Sequence, residues 1–180
     1  MRGLATLLVV SLCAAPAYAA VSLKGTHVGL TCEESDIEAL RERLAYAPLG
    51  LAAVSREGPP AQRLVAELDA LYLRVSQIID LAVPDGFVYV TVVADRAAVA
   101  TEAESVVGER HEAPGVYVHE RQTVYVAAAD FTRSVLSHEF AHAVMGAFFV
   151  VPPPEKMQEV LSGYAEYMLT KEDQAAGSEK

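Results

Sequence analysis

The stretch Ser134–Gly146, SVLSHEFAHAVMG, constrains this chain more than any other. Val135, Leu136, Phe140, Ala141, Ala143 and Val144 are uncharged, as expected of a helix buried in the middle of a fold. Yet the same helix carries His138, Glu139 and His142. Residues four apart lie on one face, one turn from each other, so the two imidazoles can offer nitrogens to a single ion. Facing a core without a ligand, these three groups would be costly to desolvate. Zinc suits them, because it accepts neutral imidazole in a tetrahedral shell and can leave a position for water. Glu139 lies about 100° around the helix, near that open position, where a carboxylate can take a proton from a metal-activated water and pass it to a leaving amine. With five histidines in the chain, this spacing arises by chance with a probability of roughly 0.5%. A metal site is therefore preferred to a structural histidine pair.

Two imidazoles need a third ligand from another element. Pro152-Pro153-Pro154 breaks the chain, and a last helix is expected from Glu155 to about Thr170, with Glu159, Ser162 and Glu166 along one side. If the two helices pair antiparallel about Pro152, residue 140 lies level with residue 164. Glu166 is then near the histidines, while Glu159 falls about 7 Å along the axis. Glu166 is the expected third ligand and Glu159 the alternative.

The N-terminus reads MRGLATLLVVSLCAAPAYA: one cation, an apolar run from Leu4 to Ala14, and a small-x-small site at Ala17-Tyr18-Ala19. This is the pattern of a secretory signal peptide over residues 1–19, and the run is too short to span a membrane with these flanks. The expected mature chain, residues 20–180, is one domain, exported to a periplasmic or extracellular space and without a membrane span. Removing Arg2 turns 14 bases against 24 acids into 13 against 24, a balance of −11. An acidic chain with no basic block is a poor partner for nucleic acid. Cys13 leaves with the signal, and the remaining Cys32 is expected to be buried and inert.

Periodicity orders the rest. Ile37, Leu40 and Leu44 mark a first helix, and Leu49–Pro60 reads as a linker. Leu64, Leu68, Leu71, Val75 and Ile78 mark a long amphipathic helix over Ala61–Leu81. Phe87–Ala94 reads as a buried strand, and Arg96–Val107 as a helix capped by Asp95. Val116–His119 and Thr123–Ala127 read as a hairpin, and Asp130 as the cap of the motif helix. The segment before Cys32 and the tail after Thr170 are expected to be polar and irregular.

The succession VVADRAAV, GVYVHERQTVYV, VLSHEFAHAV, a proline break and EVLSGYAEYM resembles the peptidase MA-like domains of the gluzincin, thermolysin-like class of zinc peptidases. The likeness covers about Phe87–Leu169. It implies a compact α+β, zincin-like fold in which a small sheet packs on the metal-binding helix. It also implies His138 and His142 as zinc ligands, Glu139 as catalytic base, and a peptide or protein substrate. The family's last motif usually reads Glu-Gly-x-Ala-Glu-Tyr, with the first Glu on the metal and the second supporting a histidine. Here Gly163–Tyr167 matches, but Ser162 stands where that ligand is expected. Either Glu166 moves inward to the metal, or Glu159 takes the role and Glu166 supports a histidine. Tyr164, Tyr167, His111 and His119 are minor candidates for an oxyanion donor. The alternative function is a zincin-like binding module of the cell envelope that does not cleave.

Overall fold

A computed structural model describes residues 20–44, 58–108 and 112–178. The expected signal segment 1–19, most of the expected linker (residues 49–57) and His111 lie outside the described residues.

The fold is α+β: the described residues form a five-stranded mixed sheet and five α-helices. Two strands form where an irregular polar segment is expected: β1 (Ala20–Lys24) and β2 (Val28–Glu33). Val28, Leu30 and Cys32 alternate along β2 and are buried, so a period-two pattern was present. The turn between the two strands is held from outside the sheet. Asp69 on α2 (Pro60–Ile78) accepts the backbone N–H groups of Thr26, His27 and Val28 at 2.7, 2.8 and 2.8 Å. A Cβ at Gly25 would stand 2.4 Å from the Asp69 carboxylate, so only glycine fits that approach.

α1 (Ile37–Leu44) and α2 carry the chain across to β3 (Val88–Val93), which runs parallel to β2. The expected helix α3 (Arg96–Val107) follows, with Asp95 accepting from Ala98 N at 2.9 Å. The expected hairpin forms as β4 (Gly115–Val118) and β5 (Thr123–Ala127), joined by a 3-10 turn. The strand order is β1-β2-β3-β5-β4, so β4 is an edge strand, antiparallel to β5.

α4 (Arg133–Phe148) carries the histidine motif and buries Leu136, Phe140, Val144 and Met145 in the core. Its cap is Thr132, whose Oγ1 accepts from Val135 N at 3.3 Å; Asp130 instead forms two 2.8 Å bonds with Arg96. α5 (Glu155–Ser178) runs eight residues past the expected end at Thr170. Two ion pairs, Arg74 with Glu172 and Arg133 with Asp173, tie the extension to α2 and α4, so it has tertiary partners that a free tail lacks.

Candidate metal centre

α4 and α5 are antiparallel neighbours, and small residues let them approach. Ser137 and Ala141 on α4 and Ser162 and Ala165 on α5 have no exposed surface. Two contacts set the register: Ser134 Oγ bonds Glu166 Oε1, and His142 Nδ1 lies 3.3 Å from Gln158 Oε1. Both pairs centre on residue 150. The pivot expected at Pro152 is thus displaced by two residues, which moves α5 along its axis by a few ångströms. The level of the two histidines now falls at residue 160.

That shift corrects the expected position of Glu166. Glu159 is the carboxylate that meets the motif: Oε1 is 3.3 Å from His142 Nε2 and Oε2 is 3.5 Å from His138 Nε2. The two Nε2 atoms are 3.3 Å apart. His138, His142 and Glu159 form a group whose ligand atoms all lie within 4.8 Å of one another and could hold a metal ion. Glu166 lies behind the ring of His138, its Oε2 3.6 Å from Nδ1.

The outer partners decide how each imidazole is used. Gln158 Nε2 donates to Pro153 O at 2.8 Å, which turns its Oε1 toward His142. An acceptor at Nδ1 puts the ring proton there and leaves the Nε2 lone pair facing inward. Glu166, held by Ser134, sets a carboxylate oxygen 3.6 Å from Nδ1 of His138, outside hydrogen-bond distance. Burial, helped by the neighbouring His138, keeps His142 below the ordinary imidazole range, in the neutral form that ligates. Neither Gln158 nor Ser134 carries a sequence signal for this role; only the packing of α5 on α4 reveals them.

Glu139 points to the sheet side of α4. Its carboxylate is buried, and Oε2 accepts the backbone N–H of Tyr117 on β4 at 2.8 Å. Glycine at 115 permits the approach, since a Cβ there would be 3.0 Å from Val135 Cγ1 and 3.3 Å from Glu139 Cγ. Loss of water around the carboxylate pushes its pKa up to about 7; the Tyr117 N–H opposes this, while Glu159 and Glu166 add to it.

Of the minor candidates among the described residues, none belongs to the metal-ligand group. Tyr164 and Tyr167 are exposed on α5, and His119 packs against Tyr117 and beside Gly146. Cys32 is buried on β2, a free thiol pushed up to about 11, chiefly by burial. Among the described residues no helix is long and apolar enough to cross a membrane. No family model, curated protein or solved structure matches this chain.

Proposed function

We propose that the protein is an exported zinc-dependent metallopeptidase, with His138, His142 and Glu159 holding zinc and Glu139 acting as general base. One observation carries the reading: three inward-facing ligand groups separated by 3.3, 3.3 and 3.5 Å. One ligand atom from each residue lies within 4.8 Å of the others, close enough to converge on one ion, and zinc suits a set of two imidazoles and a carboxylate. Two imidazole Nε2 atoms and a carboxylate brought this close offer a cation three ligand atoms.

Bound zinc supplies a Lewis acid that polarises a carbonyl and acidifies water at neutral pH. The chain supplies the rest. Glu139, one residue from His138 and raised to about 7 by burial, can accept a proton from water and return it to a leaving amine. Gln158 and Glu166 would orient the two imidazoles from behind, as outer partners of metal-ligating histidines do. β4 is an edge strand whose Tyr117 N–H is taken by Glu139; an extended peptide laid along the rest of that edge would add as a further strand. That favours a peptide over a compact small molecule as substrate.

A second reading is a zincin-like module that holds a partner without cleaving it. Ser162 favours it, because the motif that this chain resembles has an acid there. Elemental analysis and casein cleavage separate the two. Near one zinc per chain, with hydrolysis that falls by about 10²–10⁴-fold in Glu139→Gln while zinc persists, supports the peptidase. Zinc without hydrolysis leaves the binding module, and no zinc removes both. Export has its own test: mature protein from the native host should begin at Ala20, and intact Met1 in a cytoplasmic pool would refute it.

A further inference from the structure

The last turn of α4 borders a cavity of about 500 Å³, lined by Gly146, Ala147 and Phe148 together with Asp85, Phe87 and Gln122 among others. Sites that take a small ligand or a large side chain commonly enclose about 300–1,000 Å³. The chemistry of the lining favours a cation. Phe149 N bonds Met145 O at 3.0 Å, but the carbonyls of Gly146, Ala147 and Phe148 take no backbone hydrogen bond among the described residues. They carry the negative end of the helix dipole, which a basic side chain ordinarily meets. α4 has no basic residue in its last turn. Asp85 is exposed, has no hydrogen bond or ion pair among the described residues, and is the one charged side chain that lines the cavity. Gln122 adds an amide oxygen, and Phe148, 46% exposed, adds an aromatic face. Lys24 stands over the Phe87 ring at 5.5 Å and His119 lies beside Gly146, yet neither lines the cavity.

Two elements lead to this cavity from the metal centre. Gly146 follows His142 by four residues, on the same side of α4 and roughly 6 Å along its axis. β4 takes the same course. A Cβ at Gly115 would stand 3.3 Å from Glu139 Cγ, and one at Gly146 would stand 3.0 Å from the Tyr117 hydroxyl and 2.8 Å from His119 Nδ1. The strand thus passes from the buried carboxylate toward the cavity. An extended peptide covers that span in about two residues, at roughly 3.3 Å each. Paired with β4 in the stronger, antiparallel sense, it enters from the cavity end. Its residues there precede the bond at the metal.

We propose that this cavity receives a lysine or arginine side chain of the peptide lying along β4, about two residues before the bond to be cleaved. The position of that bond rests on the peptidase reading, whereas the preference for a cation rests on the cavity, so binding and cleavage are measured separately. For binding, the Glu139→Gln protein with zinc is titrated into fluorescein-labelled alanine hexapeptides carrying arginine or leucine at the third position. The arginine peptide should bind at least about 10-fold more tightly. Asp85→Lys should abolish that preference, and Asp85→Asn, of the same shape, should reduce it. Glu42→Lys makes the same charge change at an exposed site on α1 and should leave the preference intact, which separates the cavity from the general attraction of an acidic chain. For cleavage, the bonds that the unaltered protein cuts in denatured casein are mapped by mass spectrometry. Lysine and arginine should be enriched about 5-fold two residues before the cut, and Asp85→Lys should remove the enrichment while zinc content is unchanged. Preferential binding without any cleavage supports the cavity assignment and removes the peptidase reading. Equal binding of the two peptides, a preference that Glu42→Lys removes as fully as Asp85→Lys, or cuts without a basic residue at that position overturns the proposal.

Discussion

Asp69 and Glu159 each stand on a helix beside a histidine-bearing element, and their surroundings are opposite. Asp69 is saturated by three backbone donors, and the adjacent His27 is spent as well: its Nδ1 lies 2.9 Å from Gly86 O, and its ring stacks on Tyr72. Glu159 is half exposed, and its oxygens face the Nε2 atoms of two imidazoles. Both regions join histidine to carboxylate. What distinguishes them is what the carboxylate meets: the first closes on backbone N–H donors as a structural clasp, while the second joins two imidazoles in a group that could hold a metal ion.

The sharpest way to break this contrast is Glu159→Ala. Zinc affinity should fall by at least about 10³-fold, beyond the 10–100-fold of an outer partner, while stability without metal changes by no more than about 0.5 kcal/mol, as at an exposed site. Isothermal titration and urea melts measure the two. Retained affinity would mean that the carboxylate is no ligand.

Ser162→Glu comes next. It restores the acid of the resembled motif at a position with no exposed surface, where the serine Oγ has no hydrogen-bond partner among the described residues. A carboxylate wedged between α4 and α5 should cost about 3–5 kcal/mol and add nothing to zinc affinity. Improved affinity would show that the helices part easily and that position 162 reaches the ion.

Asp69→Ala should invert the first result. Freeing three backbone donors at the β1–β2 turn should cost about 2–4 kcal/mol and leave one zinc per chain. A smaller loss is expected for the positioning residues: Glu166→Ala and Gln158→Ala should each weaken zinc about 10–100-fold without emptying the site. If Glu166→Ala empties the site and Glu159→Ala does not, the assignment of the third ligand is reversed. The smallest effect concerns Cys32. Its thiol, raised to about 11, stays protonated near neutrality, so iodoacetamide at pH 7.5 should leave native protein unmodified and zinc content unchanged.

Much of the fold was legible because its elements are strongly periodic. α2 shows five apolar residues on one helical face, β3 is β-branched, and α3 lies between an aspartate cap and Gly108. The β1–β2 pair was missed although Val28, Leu30 and Cys32 alternate, because the polar residues between them and the turn Gly25–His27 mask a short strand. Its clasp by Asp69 is a contact 41–43 residues away in sequence. The end of α5 was misplaced for the same kind of reason. Glu172 and Asp173 look like a solvated tail until Arg74 and Arg133 are seen beside them.

By itself the sequence determined the site's inner geometry. An α-helix brings residues four apart onto one face whatever surrounds it, so His138 and His142 converge by backbone geometry alone, while Glu139, one residue on, turns to the sheet side and meets Tyr117. It could not determine which carboxylate joins them. That depended on how α5 slides along α4, and a displacement of the pivot by two residues exchanged Glu166 for Glu159. Such a slide is set by how small buried side chains at Ser137, Ala141, Ser162 and Ala165 fit together, and by the loop that joins the helices. Both are properties of two surfaces in contact, and neither is written in the period of one helix.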